Sequence, residues 1–503
     1  MVASSVDEVV NLCVRRGFIT PSCEAYGVFA GFFDYGPLGV ELKRNVENAW
    51  WNRFVRSRDD VVGMDGALVN PPAVWKASGH VESFNDPLVE CVKCKARHRA
   101  DHLVQEELKL EVDGLTREKL ASLIKERGLK CLKCGGALSE AKAFNLMFKT
   151  FVGPVADEAN AAFLRPETAQ LIFVNFKTVQ AASRKKLPFG IAQSGKAFRN
   201  EISPRNFVFR AREFSQLEIE YFTHPNEGKC QLLAKALLEP QCLALTAVQQ
   251  GGKKSHSKTT VGALLKQGSL KSEWVAYWLA EFLQWLQQLG LEEDRLRLRQ
   301  HVPEELSHYS RETWDVEFDY PEWGWKELMG VADRGDFDLS QHEKHSGKDF
   351  HLFDEKLGKK ILPRVVEPSL GLDRLAFALL ANAFTKAKDA KGGERVVLAL
   401  SSEIAPVKAS VFPLVNKDGL REKAREVFES LLQAVPCCEF DDSGSIGRRY
   451  ARADEAGTPF CITVDYQTME DGTVTVRERD SGKQERVQAS ELSAVLARSE
   501  NAS

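Results

Sequence analysis

Between Phe189 and Phe222 the chain reads FGIAQSGKAFRNEISPRNFVFRAREFSQLEIEYF, a run that concentrates the residue types that handle phosphate. Two strand-like stretches flank a loop rich in Pro, Asn and Arg, and period-two alternation sorts their side chains into faces. On the first stretch Phe198, Asn200 and Ile202 share one face, and Arg199 and Glu201 share the other. On the second, Leu217, Ile219 and Tyr221 make an apolar face opposite Phe214, Gln216, Glu218 and Glu220. The loop adds Arg205, Arg210 and Arg212. Several arginines above a carboxylate-bearing floor with one aromatic suit a nucleotide phosphate, a purine face and a small polar partner. Spacing alone equally allows a solvated hairpin with surface ion pairs. A second constellation, Cys91-x-x-Cys94 and Cys131-x-x-Cys134, has the paired-knuckle form that holds a tetrahedral zinc, with reduced thiols as the alternative. The 36 residues between the knuckles exceed a usual ribbon spacing and leave room for an inserted helix, with Leu120, Leu123 and Ile124 on one face and Gly128 as its stop.

The elements that must position these groups fall into blocks. Ser5 and Glu8 form a capping box for an N-terminal helix that carries Val9, Leu12 and Cys13 on one face and stops at Gly17. From Glu239 to Glu273 no acid intervenes, and Lys253, Lys254, Lys258, Lys266 and Lys271 crowd the interval. That lysine segment reads as an RNA-phosphate contact or a mobile surface loop. An amphipathic helix capped by Ser272 and ended by Gly290 follows it. AKDAKGGER, residues 387–395, reads as a linker. Beyond it VVLAL (396–400) and FCITVDY (460–466) read as strands flanking a helix over 420–435, an α/β module.

With 503 residues, 43% hydrophobic and 28% charged, the chain exceeds one domain and is neither fibrous nor disordered. Lys+Arg total 68 against Asp+Glu 71, a formal charge of -3, which excludes a generally basic nucleic-acid binder and leaves local RNA contacts open. No window has the ~18 consecutive apolar residues of a membrane span. Asp7 and Glu8 argue against a secretory or transit peptide, so a cytoplasmic protein with no membrane partner is expected, its eleven cysteines serving as thiols or metal ligands.

Phe198-Arg199-Asn200-Glu201 resembles motif 2 of class II aminoacyl-tRNA synthetases; EPSLGLDRLAFALL (367–380) resembles motif 3, and VVGMDGALVNPP (61–72) is similar to motif 1, the family's dimer-interface strand. Within the class the chain resembles the dimeric glycyl-tRNA synthetases through FDYGPLGVELKRN (33–45), WKASGHVESFNDPLVEC (75–91), RADHL (99–103), FNLMFKT (144–150), LRPETAQ (164–170) and KELMGVADRGDFDL (326–339). The resemblance covers essentially the whole chain. It implies an α+β fold: a class II catalytic domain over 1–386, mostly antiparallel sheet flanked by helices, with a Cys-knuckle insertion at 91–140 and a helical insertion at 225–310. A C-terminal α/β anticodon-binding domain over 395–503 would complete it. Rivals are a synthetase for proline, threonine or histidine, or a synthetase-derived binding protein. The three glutamates of the glycyl pattern oppose the first, and retention of Arg199, Glu201, Arg210 and Arg374 opposes the second.

The resemblance further implies glycine, ATP with Mg²⁺ and tRNA(Gly) as reactants, a homodimer, and specific roles. Arg199, Glu201 and Arg374 would be catalytic, with Arg199 clamping the α-phosphate. Phe214 would stack on one adenine face and Arg374 cover the other, while Arg210 reaches the outer phosphates. The ATP site would also include Asn200, Phe209, Ala211, Arg212, Glu213, Glu327, Leu328, Gly371, Leu372 and Asp373. Glu327 is the candidate Mg²⁺ ligand, with Glu201 competing. Glycine would be held by Glu167, Glu218 and Glu367, with Arg99, Phe214, Ser215, Gln216, Leu217, Pro368, Ser369, Leu370 and Gly371 around it. A pocket for glycine gains nothing from a side chain and must exclude larger ones sterically. Cys91, Cys94, Cys131 and Cys134 would bind a structural Zn²⁺. Arg448, Arg449, Tyr450 and Arg452 form the expected anticodon cluster, with an exposed helix start as its alternative, and His80 and His102 are expected to be hydrogen-bonded structural residues.

Overall fold

The arginine-rich hairpin is the centre of the fold. Phe189–Phe198 and Glu213–Thr223 pair antiparallel from Phe189 opposite Phe222 to Phe198 opposite Glu213. Leu217, Ile219 and Tyr221 are fully buried on one face of the second strand, as period-two alternation requires. Arg199, Asn200, Glu201 and Ile202 lie beyond the first strand, which ends at Phe198, so the alternation drawn through them does not apply. The Glu201 amide instead donates to the Arg199 carbonyl in a tight turn.

The computed structural model describes residues 5–110, 112, 115–226, 228–233, 238–307, 310–388 and 393–500. Among these, nine strands form the main sheet: Val61–Gly63 (β1), Phe189–Phe198 (β2), Glu213–Thr223 (β3), Gln241–Leu245 (β4), Ser257–Thr260 (β5), Leu296–Gln300 (β6), Glu312–Tyr320 (β7), Gly324–Gly335 (β8) and Arg364–Gly371 (β9). Their order is β5-β4-β6-β7-β8-β9-β3-β2-β1. Only β1 with β2 and β4 with β6 run parallel. The expected mostly antiparallel α+β arrangement is what the chain adopts.

Helices cover the sheet. Val6–Arg16 (α1) is capped by the Ser5 hydroxyl and closed by left-handed Gly17; the other half of the capping box is replaced by an ion pair of Glu8 with Lys386. Pro37–Trp51 (α2) presses so closely on Phe18 that a Cβ at Gly39 would lie 1.7 Å from the Phe18 carbonyl oxygen, so only glycine fits there. Ala169–Ser183 (α3), Glu273–Gln288 (α4), Phe337–Ser346 (α5) and Leu372–Ala383 (α6) complete the layer. In α4 Trp274, Val275, Trp278, Phe282 and Trp285 are all buried, joining Trp50, Phe54, Trp314 and Tyr320 in the largest core.

Several expectations change. The segment 225–310 carries α4 but is not simply helical, because β4, β5 and β6 extend the main sheet from within it. The lysine-rich stretch is no loop: Ser257–Thr260 is the sheet's edge strand, and Val261–Lys266 forms a short helix capped by Thr260. Lysines suit such an edge, since charge there discourages further strand pairing. VVLAL supplies Glu394–Leu398, paired with Phe384–Lys388 in a separate two-stranded sheet. The segment read as a linker therefore belongs to a hairpin, and its residues 389–392 lie outside the described residues. The C-terminal sheet instead begins at Ala409–Pro413, flanked in parallel by Cys438–Phe440 and Phe460–Val464, and two antiparallel strands follow. Helices Leu420–Ala434 (α7) and Ile446–Ala456 (α8) accompany it, and α7 buries Leu420, Ala424, Val427 and Leu431 against the sheet.

Candidate active site

Above β3, β7, β8 and β9 opens a cavity of about 310 Å³. Phe214, Ser215 and Gln216 come to it from β3, Thr313 and Asp315 from β7, Gly330 and Ala332 from β8, and Glu367, Ser369 and Gly371 from β9. Register explains the convergence: Gln216 stands opposite Gly371, Glu218 opposite Ser369, and Ala332 opposite Glu367. The walls are Arg199 and Glu201, the loop residues Val208 to Ala211, and Arg374 at the start of α6.

The arginines bracket this space. The Arg199 guanidinium lies 5.2 Å from the Phe214 ring centroid, and its Nε donates to the Pro166 carbonyl. Arg374 lies over the Phe209 ring at 4.5 Å, pairs with Glu327 at 3.2 Å, and donates to the carbonyls of Phe209 and Glu327. Burial works to raise Glu327, but Arg374 together with His301 and Arg199 brings the carboxyl below its ordinary range. Arg210 reaches His102 at 3.1 Å and stands 3.9 Å from Glu201, whose buried Oε2 has no hydrogen-bond partner. Asp373 fixes the start of α6: its carboxylate accepts from the Tyr35 hydroxyl, the Lys43 ammonium and the Ser215 amide.

Under the Glu367 end of the floor lies a buried charge network. Arg334, 3% exposed, donates to Glu367 at 2.6 Å and to both oxygens of Asp338 at 2.7 and 2.8 Å. Gln170 donates to Glu167 and Asp338 and meets His342 at 2.9 Å. Thr168 donates to Glu218. His80, hydrogen-bonded to Ser78, stands 3.4 Å from Glu167. Burial favours the neutral form of Glu167, yet His80, Arg334 and the Gln170 amide hold it well below the usual carboxylate range. Glu218 goes the other way, raised by burial and by the charge of Glu167. Burial also pushes Glu367 well up, against the pull of Arg334. Farther along the floor, burial raises Asp315 to about 6 although His301 bonds it at 2.8 Å, and that bond raises His301 in turn.

Many expected site residues meet at this cavity: Arg199, Glu201, Phe209, Arg210, Ala211, Phe214, Ser215, Gln216, Glu327, Glu367, Ser369, Gly371, Asp373 and Arg374 all line it. Glu167 and Glu218 lie beneath it, in the network behind Glu367. Others point elsewhere for simple reasons. Leu217, Leu328, Leu370 and Leu372 are core residues, and Leu217 and Leu370 fall on the opposite pleat from Glu218 and Ser369. Pro368 is buried beside Val331. Asn200 and Arg212 brace the loop: the Asn200 amide donates to Leu146, and the Arg212 guanidinium donates to the carbonyls of Glu201 and Ala30. Glu213 faces a small side cavity and pairs with Lys196. Arg99 does not line the cavity either; both its ends are held by Asp86 and Asp101, and together with burial it drives His102 down to about 3. Sequence reasoning gave no role to Asp315 on β7, to His301 just after β6, or to Arg334 and Asp338, although the last two lie within the family-like stretch 326–339. It placed Glu220 on the Glu218 face by alternation but gave it no role.

The four knuckle cysteines come together. Cys91 and Cys134 sulfurs are 3.5 Å apart, Cys94 and Cys131 3.6 Å, and all four lie within 4.8 Å of one another. Four thiolates ~2.3 Å from one zinc would stand ~3.8 Å apart, so the donor set and spacing fit that ion. His98 Nε2 lies 3.2 Å from the Cys131 sulfur. The predicted helix between the knuckles spans Arg117–Glu126, with Leu120 and Ile124 buried and Gly128 left-handed after it.

The expected anticodon cluster is largely structural. Arg449 is 2% exposed and donates to the carbonyls of Pro413, Asp442, Ser443 and Gly444. Tyr450 bonds Thr463, and Arg452 pairs with Asp441. Helical turn directs these side chains into the domain, and Arg448 alone of the four is exposed.

Residues 408–499 match the family described as "Anticodon binding domain". Over nearly the whole chain, relatives carry the name "Glycine--tRNA ligase". One from Bacillus anthracis is 46% identical over 498 residues, 98% of each chain. One from Geobacillus thermodenitrificans is 44% identical over 501 residues, 98% of this chain and 97% of its own. One from Acetivibrio thermocellus is 44% identical over 497 residues, again 98% and 97%.

Proposed function

The chain belongs to the glycine–tRNA ligase family, and from that premise we propose how its cavity divides the work. The enzyme activates glycine with ATP and transfers it to the 3′ end of tRNA(Gly). Neither step needs a protein nucleophile. The glycine carboxylate attacks the α-phosphorus, pyrophosphate leaves, and a ribose hydroxyl of the tRNA then attacks the glycyl-adenylate. Rate is gained by alignment and by cationic groups set where phosphate charge develops.

Arg199 bonds the α-phosphate and the incoming carboxylate. Adenine lies between Phe214 and Arg374, a cation–π sandwich, and Arg210 meets the outer phosphates. Arg374 must turn from Glu327 to do so, and that carboxylate then becomes available. Glu327 and Asp315 lie close enough for their charges to oppose each other, an oxygen donor pair suited to Mg²⁺. That ion supplies charge neutralisation at the phosphate oxygens. The glycine ammonium is held over Glu367 by the negative field of Glu167, Glu218 and Glu367, and Ser369 and Ala332, which line the same end of the cavity, are the groups a β-carbon would meet. The observation that carries this reading is the register of β3, β8 and β9, which sets the carboxylate cluster at one end of a cavity whose other end is walled by Arg199, Phe214 and Arg374.

The four cysteines are assigned a structural Zn²⁺ that ties the two knuckles, and residues 1–386 and 395–503 are assigned as the catalytic and anticodon-binding domains. The working form is a cytoplasmic homodimer, a reading supported by Leu68 and Val69, apolar and 41% exposed on the stretch similar to motif 1. The test is amino-acid-dependent ATP–pyrophosphate exchange with glycine, alanine and serine. Exchange with glycine alone is expected; comparable exchange with alanine would refute the steric argument.

A further inference from the structure

Glu220 is a carboxylate buried behind the floor, beside Glu218 and Glu367, that the reaction above does not use. It is 0% exposed, and neither of its oxygens has a hydrogen-bond partner. It lies on β3 one pleat repeat beyond Glu218, and the carboxylate oxygens of Glu218, Glu220 and Glu367 are within 4.8 Å of one another. The groups facing it come from every side: Glu218 on its own strand, Glu367 on β9, Arg334 on β8 and Asp338 on α5. Glu167, with His80 beside it, acts on Glu218 and Glu367 from the α3 side. Among the described residues the guanidinium hydrogen-bonded within this set is that of Arg334, which bonds Glu367 and Asp338.

A carboxylate can stay ionised out of water only if donors or a cation satisfy it. Glu218 has the Thr168 hydroxyl, Glu367 has Arg334, and Glu167 has Gln170 with His80 nearby. Glu220 has none of these. We propose that Glu220 is a positioning residue that carries a proton in the empty enzyme and releases it to solvent when the glycine ammonium enters, so that the pocket exchanges one cation for another. The inference rests on the assignment of glycine to this pocket. Burial and the charge of Glu367, which push the Glu220 carboxyl well above its ordinary range, are in keeping with it. The exchange keeps the net charge of the buried cluster constant. It also gives specificity an electrostatic part: a ligand of this size without the ammonium cannot displace the proton.

Linkage sets the readout. If one proton leaves per glycine bound, the glycine KM falls by up to tenfold per unit rise in pH between the free and liganded ionisations of the cluster. Glycine titrated calorimetrically into the full-length enzyme, in phosphate and in Tris at pH 6, 7 and 8, counts protons released from the buffer dependence of the heat. The glycine KM in pyrophosphate exchange over the same range gives the same count independently. Wild-type enzyme is expected to release protons, and Glu220→Gln, which keeps the shape but cannot titrate, is expected to release fewer and to show a flatter KM profile. His80 and Glu167 are unchanged between the two, so the difference reports Glu220 and the ionisation it imposes on Glu218 and Glu367. Glycine binding to the wild type with no buffer-dependent heat would overturn the proposal even if the variant did not fold. So would equal release from a folded Glu220→Gln enzyme. Absence of any glycine-dependent exchange would overturn the substrate assignment and this inference together, and is recognised separately because no KM could then be measured.

Discussion

Among the described residues Arg334 is the one guanidinium hydrogen-bonded to both Glu367 and Asp338, buried beneath the cavity. Replacing it by Met keeps most of the volume and the contact with Phe173, whose ring lies 5.4 Å from the guanidinium. It also strands Glu367 and Asp338, which are 9% and 2% exposed. Removing one partner of a buried ion pair costs about 3–5 kcal/mol. With an unfolding entropy of ~2.1 cal/mol/K per residue over roughly 380 residues, ~4 kcal/mol lowers the midpoint by ~5 °C. All nine tryptophans lie between Trp50 and Trp325, so intrinsic fluorescence follows this part of the chain without contribution from the C-terminal module. The cycle is closed with Asp338→Leu and the double variant. Because Arg334→Met already leaves Asp338 without its cation, deleting Asp338 as well should recover about half the loss, ~1.5–2.5 kcal/mol, so that the two single losses do not add. A single-variant loss below ~1 kcal/mol, or additive losses, would refute the claim that Arg334 neutralises this network.

Three further outcomes are expected. Arg199→Gln should lower the rate of glycine-dependent pyrophosphate exchange by ~10²–10³ while leaving the fluorescence unfolding curve close to wild type, since the side chain makes a single hydrogen bond to protein. Elemental analysis should find one zinc per chain, and Cys131→Ser should lose it and expose the 91–140 segment to protease while β2, β3 and β9 stay protected. Asp315 is raised to about 6 by burial despite its bond to His301, so it opposes folding increasingly as pH rises from its unfolded value near 4 towards 6. His301, itself raised, adds stability at low pH that is lost as it deprotonates, with the same sign. Asp315→Asn should therefore gain on wild type between pH 4 and pH 7, by at most ~3 kcal/mol in urea titrations; a constant difference would contradict the assignment.

The parts of the site that were legible in sequence are those written in one stretch. Alternation along 213–223 correctly separated Leu217, Ile219 and Tyr221 from Phe214, Gln216, Glu218 and Glu220, because one face packs on the largest core while the other carries the site before it meets a second core at Phe222. The same rule failed at Arg199 and Glu201, where the chain has already left the sheet. Leu370 and Pro368 are drawn in by the resemblance rather than by alternation: they neighbour Glu367 and Ser369 in sequence, but Leu370 sits on the buried pleat and Pro368 beside Val331. Arg334 and Asp338 stand within the family-like stretch 326–339 but drew no role there, and Asp315 and His301 drew none either, because what these residues touch depends on strand order, which sets β8 between β7 and β9 only after folding. At 448–452, Arg and Tyr gave the composition of an RNA surface, yet Arg449 turns inward to carbonyls of Pro413 and of the loop before the helix, Tyr450 bonds Thr463 and Arg452 pairs with Asp441.

The structure of the full-length enzyme with a non-hydrolysable glycyl-adenylate analogue tests the central claim most directly. The account predicts adenine between Phe214 and Arg374, the phosphate oxygens against Arg199, and the ammonium over Glu367 with Glu167 and Glu218 behind it. An ammonium bound away from these three carboxylates, or an adenine ring outside the Phe214–Arg374 gap, would contradict it.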